Sequence, residues 1–109
     1  MSEGYEPKPI PLLVTQSQVT LPTSVVCTAG NKTTILDNVL ISSLEYQALD
    51  PMPSNRTLVG AVYLFTNNSW MIPVDILVDK GSQRISVVVY NPTSTTFTIE
   101  RIRLLMFWE

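Results

Sequence analysis

Histidine is absent from this chain of 109 residues, and cysteine occurs once, as Cys27. That scarcity removes Ser-His-Asp and Cys-His catalysis, imidazole metal sites and any internal disulfide, so no catalytic residue, metal or cofactor is expected. Charge is sparse as well. Seven Lys and Arg stand against nine Asp and Glu, a net of −2, which leaves no basic field to hold a nucleic acid backbone. Unbroken apolar runs extend only a few residues, Leu104 to Trp108 being the most conspicuous. A membrane-spanning helix needs roughly 20, so membrane insertion is not expected. Met1-Ser2-Glu3-Gly4 is polar and acidic, without the basic and apolar regions of a secretory leader. Synthesis in the cytoplasm without a signal peptide is the expectation. Asn31-Lys32-Thr33, Asn55-Arg56-Thr57 and Asn67-Asn68-Ser69 then read as products of a polar surface rather than as glycan acceptors.

What is abundant is β-branched. Val, Ile and Thr supply 32 residues against three Ala. Such side chains lose rotamer freedom in helices and pack well on a pleated surface, so the bias favours sheet. The pattern agrees: in 84–90, Ile85, Val87 and Val89 share one face and Ser86, Val88 and Tyr90 the other. Residues 58–66 alternate likewise, with Leu58, Gly60, Val62 and Leu64 opposite Val59, Ala61, Tyr63 and Phe65. Residues 71–78 read as a third strand, which Pro73 restricts to an edge or a bulge. Turn chemistry at 29–32, 50–55, 66–69, 79–82 and 91–94 cuts the chain into short strands. The expectation is an all-β, antiparallel β-sandwich, jelly-roll-like, in one domain spanning 15–109. Two segments stand apart. Leu40, Leu44 and Ala48, spaced by four, allow a short helix or helical turn in 40–49. Pro7, Pro9 and Pro11 make residues 1–14 an extended N-terminal arm, either a free tail or a strap for a neighbouring subunit.

The last strand carries the strongest functional signal. Phe97 and Ile99 share one parity and Ile102, Leu104, Met106 and Trp108 the other, which predicts a β-bulge near Glu100-Arg101. Leu105 and Phe107 make the second face apolar too. A domain of this size buries only about two-thirds of the surface its unfolded chain exposes, so surplus apolar faces point to a homo-oligomer. Ile10, Leu12, Leu104, Leu105, Met106, Phe107 and Trp108 are the candidate subunit interface, the alternative for the tail being a central strand of the monomer. Asn67, Asn68 and Trp70 are the candidate ligand-binding residues, because amides beside a flat apolar ring suit a sugar. The same residues also read as a hairpin turn and a core aromatic. The 50–56 loop is a second candidate on length and composition. Asp75 and Asp79, four apart on a strand, fall about 13 Å from each other, too far for paired-carboxylate hydrolysis, and aliphatics between them exclude a calcium loop. Arg101 and Arg103 read as a sheet edge or as partners of a carboxylate across an interface rather than as an anion site. Cys27, in an apolar stretch, reads as a small buried hydrophobe.

The run 84–99, with its strand ending in Asn91, its Thr/Ser turn and its Thr96-Phe97-Thr98-Ile99 strand, closes on Leu104-Leu105-Met106-Phe107-Trp108. It resembles the C-terminal part of phage receptor-binding and fibre head domains, over a quarter to a third of the chain. The resemblance implies a virion structural or adhesion module, a homotrimer, in contact with other virion proteins and binding carbohydrate on the host surface. A capsid decoration, neck or baseplate accessory protein without receptor binding fits the same features. An intracellular β-barrel for a small ligand is the reading from a different class.

Overall fold

A computed structural model describes residues 12–48, 53–66 and 71–109. Its strands are β1 (Leu13–Cys27), β2 (Lys32–Leu40), β3 (Glu45–Ala48), β4 (Leu58–Thr66), β5 (Ile72–Asp79), β6 (Arg84–Tyr90) and β7 (Phe97–Trp108). They form two antiparallel sheets packed as a sandwich: sheet A in the order β3-β1-β7-β4 and sheet B in the order β2-β6-β5. β1 begins at Leu13, paired with Trp108, so Leu13 and Val14 belong to the sandwich rather than to the arm. The rest of the expected arm, residues 1–11, lies outside the described residues.

The core follows from period-2 burial on the central strands. Ile85, Val87 and Val89 of β6 face Ile102, Leu104 and Met106 of β7, with Val19, Leu36 and Leu58 filling the layer between. Each such buried aliphatic contributes roughly 1.5–3 kcal/mol relative to exposure. The slip in β7 lies where the alternation places it, since Ile99 and Ile102 are both buried and Glu100 and Arg101 both exposed. The extra residues, however, sit on the partner: Thr20 pairs with Arg101 and Val25 with Ile99, so four residues of β1 stand opposite Glu100 alone. Pro22 falls inside that excursion, where a missing N–H breaks no ladder bond. In β4 strict alternation fails. A register shift between Leu58 and Gly60 turns Leu58 inward with Tyr63, leaving Gly60 and Val62 outward. Pro73 acts as its chemistry requires, on an edge strand and at a register shift. The 40–49 segment holds one 3-10 turn, Ile41–Ser43, and then becomes β3, with Ile41 and Leu44 buried.

Side-chain amides lock both ends of the sandwich. At one end Asn91 is wholly buried; its Nδ2 donates to the carbonyls of Cys27 (3.0 Å) and Thr95 (2.7 Å). Its Oδ1 accepts from the Thr93 amide and hydroxyl. Backbone bonds from Gly30 N–H to the Asn91 carbonyl and from Asn91 N–H to the Asn31 carbonyl join the two connections that cross between sheets there. Gly30 has φ +74°, a left-handed value that glycine adopts without a Cβ penalty. At the other end Gln83, itself at φ +54°, accepts from Leu58 N–H and donates to the carbonyls of Leu58 and Lys80. Its own carbonyl accepts from Ile41 N–H. One glutamine thus ties the β5–β6 turn to sheet A. Gln83→Ala is expected to cost about 2 kcal/mol in urea titration, and Gln83→Gly less than the sum of lost bonds because glycine relieves the φ strain. A loss below 0.5 kcal/mol for Gln83→Ala would count against the clamp.

The same turn is held by Asp79, whose Oδ1 accepts from Gly81 and Ser82 N–H. Ser82, through its backbone N–H and its hydroxyl, then Gly81 and the nearby Arg84 charge, hold the Asp79 carboxyl below its ordinary pKa. A carboxyl lowered in the folded state stabilises above its unfolded pKa, and that contribution fades as pH falls through the lowered value.

Candidate functional site

The outward face of sheet A concentrates exposed apolar side chains at one end. Register places Val14, Phe107 and Gly60 in one row, Gln16, Leu105 and Val62 in the next, and Gln18 with Arg103 in a third. Val14 is 48% exposed and Val62 46%, and Leu12, just before β1, is 52% exposed. Leu105 and Phe107 are half-buried between these neighbours. The Phe107 ring lies beside Gly60, where an added Cβ would meet Cδ2 at 3.9 Å, an ordinary contact distance. Farther along β7 the face turns polar: Arg103 Nη2 donates to Gln18 Oε1 at 3.3 Å, and Arg101 is exposed. Both arginines stand on a central strand, so the sheet-edge reading for them is corrected.

Of the seven residues expected at a subunit interface, three point the other way. Leu104 and Met106 are fully buried and Trp108 is 2% exposed, inside this protomer's own core. Trp108 Nε1 donates to Thr15 Oγ1 at 2.9 Å, a bond that fixes the indole against β1. The reason is parity: on a central strand of a sandwich only every second side chain faces outward. The interface expectation therefore narrows to Leu12, Leu105 and Phe107, joined by Val14, which the sequence reading placed in the N-terminal arm, and by Val62, which it placed only on a strand face. Their signal was present in the cross-strand register, which a single sequence does not display. Ile10, like the candidate sugar-contact residues Asn67, Asn68 and Trp70, lies outside the described residues.

Other groups with chemical capacity fall into structural roles. Cys27 is buried, and desolvation, partly offset by a hydrogen bond with Thr33, raises its thiol pKa and keeps it protonated. Tyr46 donates its hydroxyl to the Ile41 carbonyl, and burial raises its pKa. Asp75 and Asp79 share the outward face of β5, opposite Val88 and Arg84. Among the described residues no three Cys, Asp or Glu side chains gather closely enough to hold a metal ion. Among the described residues no helix is long and apolar enough to cross a membrane. Compared with protein-family models, with curated protein sequences and with solved structures, the chain matches none.

Proposed function

We propose that this protein is a non-enzymatic structural module that assembles with copies of itself, a homotrimer belonging to a virion. The observation that carries this reading is the apolar end of the outer face of sheet A: Leu12, Val14 and Val62 exposed around Leu105 and Phe107. A contiguous patch of that kind on a small domain is more costly to leave in water than to pair with its like. The absence of histidine and the sparse charge support a role without catalysis. The virion and trimer elements rest on the resemblance of 84–108 to fibre head domains. The jelly-roll-like reading belongs with them, and it is supported by the connections β1–β2, β2–β3, β4–β5 and β6–β7, each of which passes from one sheet to the other. The small-ligand barrel is less well supported, because the two sheets are separate and the space between them is filled by side chains such as Ile85, Leu104 and Met106.

Sedimentation velocity at micromolar concentration tests the reading. The native chain is expected to run as a trimer. Leu105→Ser with Phe107→Ser is expected to run as a monomer while keeping its thermal midpoint within a few degrees, because both residues stand on the outer face. A native chain that stays monomeric would remove the basis of the proposal.

A further inference from the structure

The four sheet edges are unequally protected. β3 has four residues, β2 carries two register shifts and a left-handed Asn38, and β4 carries two shifts. Short or irregular edges resist strand addition. β5 differs: after the shift at Pro73 it runs in regular register from Asp75 to Asp79, and Leu77 at its middle is 62% exposed. No lysine lies within it, Lys80 just beyond its end being paired with Glu109, and among the described residues no strand lies beyond it in sheet B. Two copies of β5 do not suit each other, since antiparallel pairing about Leu77 would set Asp75 against Asp79 of the second copy, like charge against like. The edge favours a strand carrying a cation and an aliphatic two residues apart.

The chain contains such a segment in Pro7-Lys8-Pro9-Ile10-Pro11. Lys8 and Ile10 would share one face of an extended strand, and with Ile10 beside Leu77, Lys8 falls beside Asp75 in parallel or Asp79 in antiparallel pairing. In an extended strand the N–H groups of Lys8 and Ile10 would point to one edge, whereas Pro7, Pro9 and Pro11 would leave the other edge without donors. A strand of this kind can add to a sheet but offers little to a further strand, so addition stops at one. β1, which the segment immediately precedes, borders β3 and β7 in sheet A and contacts β2, whereas β5 is the far edge of sheet B beside β4, so a chain that gains at most about 3.5 Å per residue leaves Ile10, two residues before Leu12, short of the β5 edge of its own copy.

We infer that residues 7–11 of one copy add as a strand to the Asp75–Asp79 edge of β5 in a neighbouring copy. This rests on the self-association proposed above and supplies a head-to-tail contact, the type that closes into a ring such as a trimer. The chemistry is β-augmentation, with backbone pairing for affinity and the Lys8–Asp and Ile10–Leu77 pairs for register.

The test mixes two full-length variants, Ile10→Cys and Leu77→Cys, under mild oxidation. Cys27 is buried and gives little background. A disulfide-linked pair joining the two variants, with little linkage in either alone, is the expected result. Lys8→Glu is expected to weaken self-association roughly two- to fivefold. If the native chain is oligomeric and the mixed variants do not link, the arm-to-edge contact is wrong and the self-association stands. If the double variant Ile10→Cys, Leu77→Cys links within one chain at high dilution, the contact is internal and the inference fails. A monomeric native chain would overturn both.

Discussion

Asn91→Ala is expected to destabilise the sandwich by about 3 kcal/mol, lowering the thermal midpoint by roughly 12 °C or more. Four side-chain hydrogen bonds disappear; the Cys27 carbonyl loses the Asn91 donor, and the Thr95 carbonyl keeps only the Thr93 hydroxyl. Water cannot readily replace the donor to the Cys27 carbonyl, because Asn91 and Cys27 are both fully buried. Asn91→Asp keeps the shape yet turns an acceptor toward both carbonyls, so it should cost at least as much at neutral pH. Burial and those carbonyls would raise the new carboxyl's pKa, and a group raised in the folded state stabilises below its folded pKa. The deficit of Asn91→Asp relative to native should therefore narrow as pH falls, because the protonated acid regains one donor. Urea titration across pH 4–8 would check both the size and this sign. A loss under 1 kcal/mol for Asn91→Ala would mean the two crossing connections are held by their backbone bonds alone.

Trp108→Ala should be comparably severe, about 3–5 kcal/mol, as befits a large buried aromatic on a central strand. Trp108→Phe separates the packing from the hydrogen bond: it retains most of the apolar contact but strands the buried Thr15 hydroxyl, at about 1–2 kcal/mol. Thr15→Val introduced alongside should recover part of that cost, giving a coupling near 1 kcal/mol in a double-mutant cycle. The neighbouring position behaves differently. Phe107→Ser should leave monomer stability nearly intact and act on association, since its ring lies on the outer face against Gly60. Equal destabilisation at 107 and 108 would contradict the parity assigned to the tail.

The contrast between these adjacent residues marks how far the sequence could be read. Alternation in 84–90 is visible in the residue order because each strand's faces are a local property with period 2, and Ile85, Val87 and Val89 are buried as that order requires. The parity slip at Glu100-Arg101 and the edge or bulge character of Pro73 are local for the same reason. In 58–66 the alternation misleads. A register shift there depends on β7, which lies some forty residues away in the chain. The Leu40, Leu44, Ala48 spacing misleads in another way: it matches a helix, but Ile41 and Leu44 are drawn into the sandwich core, and the helical part ends after one turn.

The candidate interface shows the same division. An apolar terminal segment is plain in the residue order. Which half of Leu104 to Trp108 faces water is decided by β7 sitting between β1 and β4, with sheet B covering one side only. Asn91 and Gln83 look like ordinary turn residues in one dimension; their weight arises because connections distant in sequence meet where each side chain stands. Composition and alternation settle strands, turns and a low-charge character, since these depend on side chains and their immediate neighbours. Register, strand order and the identity of the buried face depend on which segments meet across the sandwich, and only the folded chain decides that.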